Sequence, residues 1–360
     1  MRNWTVREAG AAEHDRVRLL AHEVMRESSG PKVAELSEPL WRWQYSEAPD
    51  GALVVYAEDA GIVCGYYHTV ICRMIFRGRP CLAGMVQDVG TASSHRRLGI
   101  FRAMGAFAIA RMRERGVEFI YTFPNDKSLP SFVRDHQFSI LTRVPVYVAP
   151  LDAGILLESR LPLGWPVRLV GRLAGGVYRS VLARAGREQS SDQVVPLNDV
   201  IALEPLSADF AAPTEKVSLC RDVRYLNWRF LHKPGRQYSL WGLKQQGRLL
   251  AYLVTRRAKV FSTSCLILMD IGCAPGCEDA LSRLIAGRME DERAAGIPLA
   301  VTMGLDDRLG AFGRLGFVQV PEPFNPRPFN LLIKDLVESE RPELVAAKSW
   351  QISLADWDVL

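Results

Sequence analysis

The chain has 360 residues, 48% of them hydrophobic and 24% charged, with a net charge of +5. That length suits two domains, and that composition an ordinary packed core. No uninterrupted apolar run of about eighteen residues occurs, which excludes a spanning helix, and no apolar stretch follows the charged N-terminus, so no secretory signal is expected. Seven cysteines, at 64, 72, 81, 220, 265, 273 and 277, are an odd set without zinc-site spacing, which points to reduced thiols, a cytoplasmic location and no metal. The positive excess lies in residues 1–187, whereas 188–360 are net negative. No dense basic patch with interleaved aromatics appears, so no nucleic-acid partner is expected.

A strand-like Trp4–Arg7 opens the chain. Ala11–Ser28 follows with Val17, Leu20, Val24 and Met25 at helical spacing, stopped by Ser28-Ser29-Gly30-Pro31. Leu40–Tyr45 reads as a helix end and Pro49-Asp50-Gly51 as a turn. Ala52–Glu58 and Ile62–Arg73 read as strands of a meander joined at Asp59-Ala60-Gly61. After a turn at Arg77-Gly78-Arg79, Leu82–Thr91 forms another strand and runs into Ala-Ser-Ser-His and Arg96–Phe101. A helix then places Phe101, Met104, Ala108 and Met112 on one face and ends at Gly116. Val117–Phe123 is a buried strand, Ser128–Asp135 a short helix and Ile140–Val148 a closing strand.

A strand that feeds a basic, Gly-containing turn opening a helix aims free N–H groups and the positive helix end at an anion. Arg96-x-x-Gly99 after Asp88-Val89-Gly90-Thr91, followed by Asn125-x-x-Ser128-x-x-x-Phe132, resembles the acyl-CoA signature of the GNAT superfamily of N-acyltransferases. The resemblance implies an α/β fold (α+β, mixed sheet flanked by helices). It also implies acetyl-CoA or another acyl-CoA as donor, and a thioester arm lying where the strands at Asp88 and Tyr121 splay apart.

The second half repeats the first. Tyr225–Phe230 echoes Leu40–Tyr45, a proline follows six residues after Trp43 and after Trp228, and Asp270-Ile271-Gly272 echoes Asp88-Val89-Gly90. Matched order over ninety residues indicates tandem duplication. The expected organisation is a GNAT domain at 1–150, a basic helical connector at 151–193, a degenerate GNAT-like domain at 194–338 and a tail at 339–360. Within 151–187, Arg160, Arg168, Arg172, Arg179 and Arg184 stand among apolar residues broken by Pro162, Pro166, Gly175 and Gly176. A connector is the favoured reading; peripheral contact with anionic lipid competes with it. Eight residues after Asp270 stands Glu278 in place of Arg96, eleven after it Leu281 in place of Gly99, and Leu305 falls where Asn125 would, so only the first copy is expected to bind acyl-CoA.

The chemistry implied is attack of a primary amine on an acyl thioester. The donor would be held by Arg96, Arg97, Leu98, Gly99, Ile100 and Phe101 at the pyrophosphate, by Val89, Gly90 and Thr91 along the strand, and by Asn125, Ser128 and Phe132 beyond it. A strand N–H within Val89–Thr91 would face the developing oxyanion. Asp88 is the first candidate for base or amine binding, against a structural role that Asp270 in the other copy favours. His136 and His95 are further titratable options, each more simply a loop or surface histidine. Phe132 stands where the family usually has a tyrosine that protonates the leaving thiolate; Tyr121 is the substitute on hand. Ser128 reads equally as a helix cap. The expected acceptor is a small-molecule amine, with an amino sugar of polysaccharide or secondary-metabolite assembly leading. A non-catalytic acyl-CoA sensor and a peptidoglycan-type aminoacyl transferase are the alternatives. Oligomeric state is left open.

Overall fold

The computed structural model describes residues 4–30, 36–152, 191–199, 215–235, 238–260, 262–305, 312–325, 329–337 and 341–357. The connector expected at 151–193 lies almost wholly outside them, as does the lipid contact weighed for 151–187. Among the described residues no helix is long and apolar enough to cross a membrane, and all seven cysteines are free thiols.

The first half runs β1 Trp4–Glu8, α1 His14–Ser29, α2 Glu38–Tyr45, β2 Ala52–Asp59, β3 Ile62–Phe76, β4 Arg79–Thr91, α3 Ile100–Glu114, β5 Val117–Thr122, α4 Leu129–His136, β6 Ser139–Arg143 and β7 Val146–Pro150. After β8 Asp192–Pro196 and β9 Val217–Leu219 comes α5 Val223–Leu226, continued by a wide helical turn through Leu231. The second half then follows the plan of the first: β10 Ser239–Gln245, β11 Arg248–Val260, β12 Thr263–Cys273, α6 Glu278–Ala294, β13 Leu299–Met303, β14 Val318–Gln319 and β15 Asn330–Asp335, with a short β16 Trp350–Gln351 near the end.

The expected closing strand at 140–148 is two strands in different sheets. Val144 donates to the Phe329 carbonyl, and Pro145 has no N–H with which to continue a ladder, so the chain leaves one sheet and enters the other. The first sheet has the order β1-β2-β3-β4-β5-β15-β6; the second has β14-β7-β13-β12-β11-β10-β8. Each half therefore sends a late strand into the other's sheet: β15 lies between β5 and β6, and β7 between β13 and β14, while β9, with β16 beside it, also joins the first sheet at β3. A cut in sequence at residue 150 does not separate the two sheets.

The duplication read from the tryptophans is carried by a reciprocal contact. Trp43 and Trp228 stack at 4.7 Å. Trp43 Nε1 donates to the Trp228 carbonyl at 2.8 Å, and Trp228 Nε1 to that of Trp43 at 2.9 Å. Both residues are buried, so these are core and interface residues. The largest apolar cluster includes residues from both halves, from Val17 to Ala355, and makes one shared core between the sheets. The outer face of the first sheet is closed by α3 and that of the second by α6. The layers are helix, sheet, shared core, sheet, helix.

Candidate acyl-transfer site

The site begins with an irregularity in β4. Val89 pairs with Tyr67, but Val86 pairs with Thr69, so His68 alone opposes both Gln87 and Asp88. Such a bulge inserts one residue and re-aims side chains. Val86 and Val89, three residues apart, both pack on the α3 side, so Gln87 and Asp88 share the opposite face with Met85 and Tyr66. There α2 meets them. Gln44 donates to Gln87, and the Tyr45 hydroxyl donates to Asp88 Oδ2 at 2.6 Å. Tyr66 lies against Gly90, where an added Cβ would sit 2.5 Å from its hydroxyl. Burial first, and the Asp88 charge second, push the Tyr66 phenol upward.

The bulge coincides with the splay. The parallel pairing of β4 and β5 ends at Val86 and Thr122, where Thr122 Oγ1 donates to the Val86 carbonyl at 2.9 Å. Beyond this β4 continues beside β3 alone. Ala92 donates to the Cys64 carbonyl at 2.9 Å. In an antiparallel ladder that makes Gly90–Tyr66 the next bonded pair and turns the N–H and C=O of Val89 and Thr91 to the other edge. Those groups face the gap that β5 has vacated, as a ligand-bonding strand requires.

Past Thr91 the chain makes a short helical turn at Ser93–His95 and then two left-handed residues, Arg97 at φ 66° and Gly99 at φ 79°. Gly99 caps α3 with no side-chain bond to the helix, and the first turn holds no acid. The N–H groups of Ile100, Phe101 and Arg102 have no helical acceptor there, so the positive end fits an anion. The arginines divide. Arg96 is held by Glu27 at 2.9 Å and by the Thr91 carbonyl at 3.3 Å. Arg97 is exposed beside half-exposed Leu98.

Across the gap, Asn125 Oδ1 accepts from the backbone of Lys127 and Ser128 and from the Ser128 hydroxyl. Asn125 thus closes a side-chain turn just ahead of α4, and Ser128, at the N-cap position, donates to Asn125 and makes no side-chain cap bond to the helix. Phe132 is buried against Phe101 at 5.5 Å and Phe138 at 5.3 Å. Phe101 also stacks on His136 at 4.5 Å. His136 is core rather than surface: burial, only partly offset by the Phe101 backbone and Asp135, lowers its pKa to about 4. Tyr121 is likewise sealed in the shared core, its hydroxyl 3.6 Å from Cys72 Sγ, and its pKa is raised well above the usual phenol value, first by burial. The structure does not bring either residue to Asp88. His95 belongs to the β2–β3 hairpin through Asp59 at 3.4 Å.

Sequence reasoning missed Tyr45, Tyr66 and His68. His68 is fully buried among Trp41, Tyr45 and Tyr66 at 4.8–5.0 Å, and burial lowers its pKa to about 3. Its one sequence signal is the alternation that puts residues 66 and 68 on one strand face. Both His136 and His68 are held neutral, with folded pKa values below the unfolded 6.5. Their contribution is complete above pH 6.5 and is lost as pH falls toward 4 and below. For His136 the two values imply about 3 kcal/mol. Urea midpoints should therefore fall from pH 7 to pH 4.5, and His136→Phe should flatten that slope.

The second copy keeps the bulge, since Val254 pairs with Asp270 but Thr255 with Leu268. Thr302 donates to Leu268 as Thr122 does to Val86. What surrounds its aspartate differs. Arg221 Nε reaches both Asp270 oxygens at 2.8 and 2.9 Å, and Tyr252 and Ser353 donate to the same carboxylate. Leu305 bridges Ile352 of the C-terminal segment. Asp270 stands eight residues before the start of α6, whereas Asp88 stands twelve before α3. The true counterpart of Gly99 is thus Cys277, and Leu281 lies buried inside α6. Glu278 and Asp279 occupy the first turn of α6, which repels a pyrophosphate. Among the described residues no cluster could hold a metal ion.

Residues 5–140 match the family model described as acetyltransferase (GNAT) domain. No curated protein matches the chain. Among solved structures, the chain resembles a GCN5-related N-acetyltransferase from Anabaena variabilis, with TM-score 0.61, 11% identity, and coverage of 93% of this chain and 73% of that one. It resembles the tandem GNAT protein from the clavulanic acid biosynthesis pathway with TM-score 0.55 and 13% identity over 94% of this chain and 100% of that one. The N-myristoyltransferase of Saccharomyces cerevisiae, solved with bound myristoyl-CoA, gives 0.58 and 9% over 94% and 84%. At such identities the likeness is one of fold, whereas the family match rests on the first half's own sequence. Residues 5–140 thus match a GNAT acetyltransferase domain by sequence, and the chain as a whole has the fold of the tandem GNAT protein it resembles.

Proposed function

We propose that the first half transfers an acyl group, acetyl by default, from acyl-CoA to the primary amine of a small molecule, and that the second half binds no donor. One observation carries the reading: the vacated edge of β4 leads directly into the uncapped, acid-free start of α3. The α3 N–H groups and Arg97 hold the pyrophosphate, Val89 and Thr91 bond the pantetheine arm, and the Asn125 amide closes the other side. A β4 N–H at the splay faces the carbonyl oxygen as charge develops on it. The amine nitrogen attacks the thioester carbon, the carbon–sulfur bond breaks, and Asp88, on the acceptor face of the bulge, takes the amine proton directly or through water. Phe132 cannot protonate the departing thiolate, so the thiolate leaves with solvent as its acid. That same Phe132 favours a second reading, an acyl-CoA sensor without turnover.

Calorimetry with acetyl-CoA, followed by thiol release with a panel of amines, separates the two. Arg97→Glu should weaken acetyl-CoA binding by about tenfold or more, a charge-assisted phosphate contact becoming a repulsion. Arg96→Ala should weaken it less, because Arg96 is tied to Glu27. Equal affinity in wild type and Arg97→Glu would remove the pyrophosphate assignment.

A further inference from the structure

The strand exchange makes a cavity that the acyl-transfer reading does not use. It has a volume of about 150 Å³ and is lined by Arg143, Val144 and Pro145 from the first half and by Gln319, Val320, Glu322 and Asn325 from the second. Arg143 Nη1 meets Glu322 at 3.0 Å, and Arg143 Nε donates to Asn330 at 3.3 Å. The turn Glu322–Phe324 joins two of the lining residues and carries Phe324, the most exposed large apolar side chain of the described residues at 77%.

Sheet register places this cavity relative to Asp88. Val86, Thr122, Leu332 and Ile140 stand in one row across β4, β5, β15 and β6. Three strand spacings, about 15 Å, separate Val86 from Ile140 along this last paired row. Toward the splay the last pair on β15 and β6 is Asn330 and Arg143, while β4 runs on to Asp88 past its last pair with β5. Arg143 thus stands at the same sheet edge as the splay, along the line an extended acceptor would follow.

The lining selects a chemistry. The Arg143 charge is balanced by Glu322, so an ionic ligand gains little there. Arginine, glutamine, glutamate and asparagine offer both donors and acceptors on planar groups. Val144, Pro145 and Val320 supply apolar surface beside them, and the exposed Phe324 ring stands on the adjoining turn. A neutral ligand rich in hydroxyls with one apolar face, a pyranose ring, matches both.

We propose that this crossing is a saccharide subsite for the part of the acceptor remote from its reacting amine, so that the second half contributes to acceptor recognition. The proposal deepens the acyl-transfer reading and rests on it for the placement of the amine at Asp88. The test uses the full chain, with glucosamine and a chitotriose whose only free amine is on its non-reducing unit, the others N-acetylated, as probes in saturation-transfer NMR and calorimetry. Neither needs turnover. Phe324→Ala, at an exposed turn, and Glu322→Gln should each weaken chitotriose binding by about five- to tenfold and leave glucosamine and acetyl-CoA binding unchanged. Undiminished chitotriose binding in both variants, equal losses for both sugars, or no chitotriose binding to wild type would overturn the subsite. Failure of acetyl-CoA to bind would instead overturn the acyl-transfer reading, and the NMR arm would still decide the cavity.

Discussion

Residues 1–150 expressed alone should fail to fold and should bind no acetyl-CoA. The first sheet is incomplete without β15, which arrives from the far end of the chain and lies between β5 and β6. Its Leu331, Leu332 and Ile333 are buried almost completely. Losing three such side chains from the core removes on the order of 5–9 kcal/mol, comparable with the whole stability of an ordinary domain. Removing β15 also leaves facing backbone groups of β5 and β6 without partners. The fragment should show no cooperative thermal transition and no near-ultraviolet signal. Within the full chain, Leu332→Ala should cost about 2–5 kcal/mol. An independently folded, ligand-binding 1–150 would contradict the role assigned to the exchange.

Asp88→Asn and Asp270→Asn should have opposite consequences although the two residues hold the same place in the two copies. At Asp88 the amide still accepts the Tyr45 hydrogen bond, so the fold and acetyl-CoA affinity should hold. Turnover should drop by about 10²–10⁴-fold, the usual contribution of a positioned base. Asp270 instead neutralises the nearly buried Arg221. Breaking one side of a buried pair costs about 3–5 kcal/mol, and the retained contact of Arg221 with Asp356 argues for the lower end. Thermal melts and steady-state rates on both variants check the pair. A rate change at Asp270→Asn without loss of stability would transfer catalytic weight to the second half.

Much of this arrangement was legible in the residues. The turn from Arg96 to Phe101, the tandem repeat carried by Trp43 and Trp228, and the equivalence of Leu305 with Asn125 all follow from local spacing, which reports local geometry faithfully. Three things did not. The exchange of β7 and β15 was hidden because a strand pattern tells which residues alternate, not which sheet receives them. Pro145 was the sole local sign of the break. The bulge at Gln87–Asp88 was hidden because one inserted residue leaves composition unchanged, yet it decides that Asp88 faces Tyr45 and His68 rather than α3. The shorter loop after Asp270 defeated residue counting and put Leu281 where Cys277 belongs. His136 and Tyr121 were titratable on paper, and burial, which a single sequence does not display, removed them from the chemistry.

The reciprocal exchange also bears on why a copy whose α6 opens on Glu278 and Asp279 persists. Two separate chains trading their last strands would come apart on dilution, whereas here each half meets its complement at the high effective concentration of a tether. On this arrangement the second half is expected to act as a folding partner of the first. That duty does not depend on donor binding, so outside the crossing at Arg143 and Glu322 its surface can change, but the half cannot be deleted.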